Sequence, residues 1–137
     1  MIYFDTSVLA AYYTEEQRTG EAAEIIGKAS LPVVSDLTIA ELNVVIARKE
    51  RLGFLPLGGA AAVFALFDEH LGDSFLSIAI EPRHIQATRD FAVRSPIPLR
   101  TLDTLHLVMA SEVEGALATF DGRLADAARA MGFAVLP

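Results

Sequence analysis

The sequence has no cysteine, little positive charge and no long uninterrupted apolar run. Without cysteine it can form neither a disulfide nor a thiolate zinc site, and it has no cysteine nucleophile. Its longest apolar stretch, Leu52 to Phe67, is broken by Pro56, Gly58 and Gly59, so no segment reaches the roughly 18 residues that a membrane span needs. The N-terminal run lacks the basic residues of a signal peptide and is followed at once by Asp5. We therefore expect a cytoplasmic protein that does not associate with membranes.

The charge balance is acidic, with a net charge of −7 from 18 acidic residues and 11 lysines and arginines. Proteins that bind nucleic acid usually present a basic face, so this balance taken alone argues against an RNA or DNA partner. It does not exclude one, because carboxylates that bind metal ions are neutralised in the folded protein. The length of 137 residues, 53% of them hydrophobic, predicts a single domain spanning residues 1–137 with a sizeable core.

Short apolar runs alternate with segments of helical periodicity along the whole chain. The predicted strands are Ile2–Phe4, Leu31–Ser35, Phe75–Ile80, Ala116–Phe120 and Phe133–Leu136. The predicted helices are Val8–Tyr13 with N-cap hydroxyls from Thr6 and Ser7, Gln17–Ala29, Asp36–Arg51, Leu55–Leu71, Pro82–Arg94, Thr101–Val113 capped by Thr101, and Arg123–Met131. This alternation predicts an α/β fold, a three-layer α/β/α sandwich with a mostly parallel central sheet. In such folds the functional site forms at the carboxyl ends of the strands.

Two aspartates directly follow predicted strands. Asp5 comes after the first strand, and Asp121 comes after Ala116–Phe120. A strand that delivers a carboxylate to this edge of the sheet is a common arrangement in α/β active sites. Both also have a structural interpretation, because aspartate caps helices well and Asp-Gly is an ordinary turn sequence. We favour a functional role for Asp5, since Thr6 and Ser7 offer other caps, and leave both interpretations of Asp121 open.

Two further acids lie within predicted helices. Glu41 shares its side of a helix with apolar residues such as Leu37 and Val44, and Asp103 precedes a similar apolar segment near a helix start. An unpaired charge on an apolar face is costly, so each carboxylate needs a partner. A metal ion would serve for both. The structural alternatives are an arginine salt bridge for Glu41 and a favourable helix-dipole position for Asp103. We interpret His106, one turn after Asp103, as a hydrogen-bonded support and not as a metal ligand.

Together, Asp5, Glu41, Asp103 and Asp121 can meet at one edge of the sheet. Like charges raise each other's pKa, so such a cluster stays ionised only beside cations. Oxygen-only ligands suit Mg²⁺ or Mn²⁺. These ions lower the pKa of a bound water molecule and stabilise both the attacking and the leaving oxygen of a phosphodiester. The pattern therefore predicts a metal-dependent nuclease that needs no nucleophile or histidine base of its own.

Four segments of the sequence resemble, in order and at matching spacing, the motifs of PIN-domain ribonucleases. They are Asp5-Thr6-Ser7, Leu37-Thr38-Ile39-Ala40-Glu41-Leu42, Leu102-Asp103-Thr104-Leu105-His106-Leu107 and Thr119-Phe120-Asp121-Gly122-Arg123-Leu124. More narrowly, the chain resembles the VapC-type toxins of bacterial and archaeal toxin–antitoxin pairs. Its tail, Ala125 to Pro137, also resembles the ending of that family, a helix followed by a strand. Each motif is weak alone, but four in order within so short a chain are specific.

The resemblance implies a site, a reaction and partners. It implies that Asp5, Glu41, Asp103 and Asp121 bind Mg²⁺ or Mn²⁺. The supporting polar residues would be Thr6, Ser7 and Thr119, with Ser7 orienting Asp5 or a metal-bound water. It implies an endoribonuclease that hydrolyses single-stranded regions of RNA, a homodimer, and inhibition by a cognate antitoxin that places a peptide segment, often bearing an arginine, in the site.

Three other functions compete with this interpretation. A haloacid-dehalogenase-type phosphatase also has an Asp after its first strand, but it usually has a second Asp two residues later, where this sequence has Ser7. It also needs a suitably placed lysine, as does a receiver-like domain, and neither Lys28 nor Lys49 lies in a convincing motif. A non-catalytic PIN-like binding module remains the main alternative. It is distinguished by whether Asp5→Asn abolishes activity while the protein still folds.

Two further regions of the sequence each allow two interpretations. Arg48, Lys49 and Arg51 are candidates for gripping RNA, and an ordinary solvated helix end is the alternative. The apolar stretch from Leu52 to Phe67 could line a groove for a second subunit or an antitoxin, while core packing is the simpler use.

Overall fold

The computed structural model describes all 137 residues, which form five strands and seven helices. The strands are β1 (Ile2–Phe4), β2 (Pro32–Ser35), β3 (Leu76–Ile78), β4 (Ala116–Ala118) and β5 (Ala134–Leu136). The helices are α1 (Thr6–Tyr13), α2 (Thr19–Lys28), α3 (Asp36–Arg51), α4 (Gly59–Asp73), α5 (Pro82–Arg94), α6 (Thr101–Ser111) and α7 (Gly122–Ala130).

All five strands are parallel and lie in the order β3-β2-β1-β4-β5. The predicted α/β fold with a mostly parallel sheet is confirmed, and the sheet is in fact entirely parallel. β1 lies at the centre, paired with β2 on one side and with β4 on the other, with Phe4 opposite Ala118. The strands β2 and β3 are added on one side of β1, and β4 and β5 on the other. The carboxyl ends of β1 and β4 therefore flank the topological switch point, where α/β proteins place their sites.

Successive residues of the central strands bury their side chains on opposite faces of the sheet, which gives two cores. Phe4 and Val34 join a core with residues of α1, α2, α3 and α4, including Leu9, Leu42 and Phe67. Their neighbours Tyr3, Val33 and Leu117 join a second core with residues of α6 and α7. A sheet covered on both faces requires apolar residues at consecutive strand positions, and this accounts for the unbroken apolar run of β1.

Several helix starts differ from the sequence-based expectation, and three of the differences have a clear local cause. Asp5, and not Thr6 or Ser7, caps α1, because its carboxylate accepts the backbone N–H groups of Ser7 and Val8. The N-cap position of α6 is Arg100 instead of Thr101, since the Asp103 carboxylate accepts the Arg100 N–H. The helix α4 begins at Gly59 instead of Leu55, because Gly58 has a φ of +82°, which no helix continues through.

The stretch from Leu52 to Phe67 is divided between core and surface. Ala60 and Phe67 are buried, whereas Leu52, Phe54 and Leu57 are exposed in the connection before α4, Leu57 almost completely. Core packing therefore accounts for only part of this apolar stretch. None of the seven helices has the length and apolar character needed to cross a bilayer.

Two glycines allow a test of this packing. A Cβ atom at Gly115 would lie 1.9 Å from the Met1 carbonyl oxygen, whereas a Cβ atom at Gly27 in α2 would meet nothing within 4 Å. We expect Gly115→Ala to lower the free energy of unfolding by about 1–3 kcal/mol, because backbone must move to relieve the overlap. Gly27→Ala should raise it by roughly 0.5–1 kcal/mol, since alanine favours the helix. Urea denaturation of the two variants beside the wild type measures both, and equal effects would contradict the assigned approach of Met1 to Gly115.

Candidate active site

The four carboxylates predicted from the sequence line a single pocket of about 450 Å³ at the carboxyl edge of the sheet. Asp5 and Asp121 come from the chain that leaves β1 and β4, while Glu41 and Asp103 come from α3 and α6. Thr6 and Ser7 line the same pocket, together with Arg18, Arg100, His106 and Phe120. Residues from four separate parts of the chain therefore converge at the predicted place.

Asp5 is buried, and both of its carboxylate oxygens are hydrogen-bonded. Ser7 donates to Oδ1 through its hydroxyl at 2.6 Å and its backbone N–H at 3.0 Å, and the Thr119 hydroxyl donates to Oδ2 at 2.7 Å. Ser7 Oγ also accepts the Phe120 N–H, and Thr119 Oγ1 accepts the Asp121 N–H. The two hydroxyls thereby connect the end of β1 to the turn after β4 and fix the orientation of Asp5.

Glu41 is held by a hydrogen-bond network that extends into the core. Its Oε1 accepts from the Thr6 hydroxyl at 2.9 Å and from His106 Nε2. His106 Nδ1 lies 2.9 Å from the Tyr3 hydroxyl, so one ring nitrogen bonds Glu41 and the other bonds Tyr3. Tyr3 lies 2.8 Å from Ser35 Oγ, and all three of these deeper side chains are buried. His106 is therefore a hydrogen-bonded support for Glu41.

Asp103 and Asp121 share one arginine. Arg100 Nε donates to Asp103 Oδ2 at 3.0 Å, while Nη2 lies 3.4 Å from both Asp103 Oδ1 and Asp121 Oδ2. The remaining oxygen of Asp121, Oδ1, caps α7 by accepting the N–H groups of Arg123 and Leu124. Asp121 therefore caps α7 and also lines the pocket, while its functional role stays a prediction.

The environment moves the pKa values of two of the acids in opposite directions. Burial raises the pKa of Asp5 and outweighs the hydrogen bonds from Ser7 and Thr119, which act to lower it. Burial also acts to raise the pKa of Glu41, but the bonds and charge of His106 and the bond from Thr6 leave it lowered. Glu41 is thus more readily ionised than an ordinary glutamate, and Asp5 less readily than an ordinary aspartate.

The donor set of the pocket fits a hard divalent cation, because the four predicted carboxylates and a fifth, Glu16, line it with neutral hydroxyls beside them. In this arrangement, however, no three histidine or acidic side chains lie close enough together to hold one metal ion. Two of the four carboxylates are instead bound to the Arg100 guanidinium. The pocket therefore has the ligand types that Mg²⁺ and Mn²⁺ prefer, but the side chains of Asp103 and Asp121 are paired with Arg100.

Sequence reasoning missed two cations of the pocket. Arg100 directly precedes the Asp103 motif, and its position three residues before an acid at a helix start was the available signal. Arg18 lies over the Phe120 ring, with its guanidinium carbon 3.6 Å from the ring centroid, and no local pattern indicates this contact. Of the basic residues proposed to grip RNA, Lys49 is paired with Glu16, and together with Arg48 it lines a neighbouring groove and not this pocket.

Comparisons with known proteins give a family from the sequence and a fold from solved structures. The sequence profile of the PIN domain matches residues 2–130. The Mycobacterium tuberculosis toxin VapC20, described as cleaving the sarcin–ricin loop, has a similar structure with a TM-score of 0.71 and 19% identity, covering 97% of this chain and 96% of that one. No curated protein matches the chain.

Two solved complexes are also similar in fold. VapBC2 of Rickettsia felis, bound to a DNA fragment from its promoter, has a TM-score of 0.63 and 13% identity, covering 99% of this chain and 98% of that one. FitAB bound to the IR36 DNA fragment has a TM-score of 0.62 and 18% identity, covering 99% and 94%. At these identities the likeness shows the fold alone.

The raised pKa of Asp5 predicts the stability of its amide variant. Above the folded-state pKa, burial of the ionised carboxylate disfavours the fold, and this cost disappears as pH falls and the group is protonated. We expect Asp5→Asn, which can still cap α1, to raise the Tm by about 2–4 °C at pH 7.5 in EDTA. The gain should shrink as the pH is lowered toward 4. Thermal unfolding followed by circular dichroism tests this, and a lower Tm at pH 7.5 would contradict it.

The network beneath Glu41 gives a second stability prediction. Tyr3→Phe removes the hydroxyl that bonds His106 Nδ1 and Ser35 Oγ, leaving buried polar atoms unsatisfied. We expect the free energy of unfolding to fall by roughly 1–3 kcal/mol. Tyr12→Phe is the matched control, because the Tyr12 hydroxyl makes no hydrogen bond to another side chain. If chemical denaturation shows equal effects in the two variants, the network does not stabilise the fold.

Proposed function

We propose that this chain, which belongs to the PIN-domain family, is a metal-dependent endoribonuclease acting as the toxin of a toxin–antitoxin pair. The observation that carries the proposal is the convergence of Asp5, Glu41, Asp103 and Asp121 on one pocket at the switch point of the sheet. The motifs that suggested these residues lie within the matched region, residues 2–130. Nuclease chemistry is the activity of the family, and RNA is the finer assignment that the proposal adds.

In the proposed site the carboxylates bind the metal, and neighbouring side chains orient them. Asp5, Glu41, Asp103 and Asp121 would hold Mg²⁺ or Mn²⁺, which when bound lowers the pKa of a water molecule and offsets the charge of a phosphodiester. Ser7 and Thr119 fix both oxygens of Asp5, so that this carboxylate has one orientation. Thr6 and His106 both bond Oε1 of Glu41 and leave its Oε2 without a hydrogen bond. The hydroxyls and the imidazole therefore act by positioning the acids.

The partners follow from the relatives and are proposals for this chain. VapC20 is described as a toxin that cleaves the sarcin–ricin loop, and VapBC2 and FitAB were solved as complexes bound to DNA. By analogy, we expect a single-stranded RNA region as substrate in the cytoplasm, a cognate antitoxin and a homodimer. The exposed Leu52, Phe54 and Leu57 supply apolar surface that such a protein partner would cover.

A non-catalytic PIN-like binding module is the second candidate, and one observation favours it. Arg100 already neutralises Asp103 and Asp121, and no three acids are close enough to hold a metal ion. A site satisfied by an internal arginine has less need of a metal. The phosphatase and receiver-like alternatives do not survive the family assignment.

Cleavage of structured RNA tests the function. Purified protein, freed of any antitoxin, is incubated with a mixture of tRNA and ribosomal RNA in Mg²⁺, Mn²⁺ or EDTA. We expect discrete cuts that require metal, and Asp5→Asn should slow them about 100-fold or more, because one ligand and one charge are lost. Asp126→Asn is the matched control, since Asp126 is an exposed acid of α7 outside the pocket.

Two results would count against the nuclease. If cleavage persists in EDTA or in Asp5→Asn, the activity does not belong to this site. If no RNA is cut and calorimetry detects no binding of Mg²⁺ or Mn²⁺, the binding-module function takes its place.

A further inference from the structure

Arg100 is the one cation that the pocket places between two of its carboxylates. Its guanidinium bridges Asp103, at 3.0 and 3.4 Å, and Asp121, at 3.4 Å. The two acids belong to different elements, α6 and the turn before α7, so the arginine joins two sides of the site. The attraction is mutual, since the hydrogen bond to Asp103 and the charges of Asp103, Asp121 and Glu41 raise the pKa of Arg100.

The guanidinium is held only by these carboxylates and not by packing. The Arg100 side chain is 68% exposed, whereas that of Asp103 is 10% exposed. The start of α6 does not depend on the guanidinium, because the Arg100 backbone N–H bonds Asp103 Oδ2 independently, at 3.3 Å. The side chain can therefore rotate into solvent with little loss of buried surface, while Asp103 keeps its position.

A divalent ion and this guanidinium require the same oxygens. Arg100 occupies Oδ1 and Oδ2 of Asp103 and Oδ2 of Asp121, and the other oxygen of Asp121 is committed to capping α7. Two cations that share these acceptors repel each other and cannot both be satisfied. While the arginine stays, every carboxylate oxygen of Asp103 and Asp121 already accepts a hydrogen bond, so a metal ion has to compete for the remaining lone pairs beside a positive charge.

We propose that Arg100 is an internal counter-cation that a divalent metal must displace, so that metal binding and release of this side chain are one coupled event. This inference rests on the proposed function, because it assumes that Asp103 and Asp121 bind metal. It accounts for a pocket rich in carboxylates in which no three are near enough to share an ion. It also makes the affinity for metal lower than the four carboxylates alone would give.

Calorimetric titration with MgCl₂ and MnCl₂ tests the competition directly, without RNA. We expect Arg100→Gln to bind the metal at least about fivefold more tightly than the wild type, the lower end of ordinary coupling between two sites. Arg123→Gln is the matched control, since it removes one positive charge beside Asp121 from an exposed arginine that makes no ion pair. Its affinity should stay within about twofold of the wild type, because exposed charges act weakly at a distance.

The wild type provides an independent measurement. The ¹⁵N and ¹H signals of the Arg100 side-chain Nε–H, assigned by their loss in Arg100→Gln, should move toward the positions of solvated arginines as Mg²⁺ is added. Unmoved signals at saturating Mg²⁺ would overturn the proposal.

The outcomes separate this inference from the function on which it rests. If the wild type cleaves RNA with metal but Arg100→Gln binds metal no more tightly, the coupling is wrong and the nuclease stands. Weaker binding by Arg100→Gln also overturns the coupling, because the arginine would then be holding the two acids ready for metal. Binding by Arg100→Gln alone supports it strongly. If neither protein binds metal, both the coupling and the metal-dependent function fail.

Discussion

Negative charge gathered at the carboxyl edge of a parallel sheet is the constraint on which this structure depends. Five carboxylates line one pocket, and the four predicted from the sequence are compensated in three different ways. Asp5 is compensated only by neutral donors, Glu41 by an imidazole and a hydroxyl, and Asp103 and Asp121 by a guanidinium. The compensation is incomplete at Asp5, whose burial raises its pKa, and this is the position that gains most from an added cation.

The hydrogen-bond network of the pocket extends into the apolar core. Tyr3 is a core residue of β1, yet its hydroxyl reaches Ser35 at the start of α3 and His106 in α6. The same tyrosine therefore packs one face of the sheet and indirectly orients Glu41. Since a buried polar group without a partner is costly, the members of this network constrain one another, and the position of Glu41 is set by the packing of the domain.

Much of the fold and of the pocket can be predicted from the sequence, because both follow from hydrophobic periodicity and from the geometry of α/β sheets. The apolar run before Asp5 and the alternation of strands and helices predict the fold, and the strand-end rule brings Asp5 and Asp121 together. Other features depend on distant contacts. The stacking of Arg18 on Phe120 joins residues about a hundred positions apart, and the bridge from Arg100 to Asp121 requires α6 to lie beside the turn after β4. Local patterns carry no record of such pairings, and the cap of α1 was misassigned because Asp5 does two tasks at once.

The bond between Thr119 and Asp5 closes a loop of 114 residues, and it has a consequence for synthesis. During translation the N-terminal half of a domain emerges first and begins to fold before the rest is made. At that point Asp5 is present at the end of β1, but β4 and the residues after it, which orient Asp5, have not yet been made. The pocket is assembled only when β4 has inserted beside β1, so partly made chains carry the acids but not the site. Any function that needs Asp5 in this orientation therefore requires nearly the whole chain to be made.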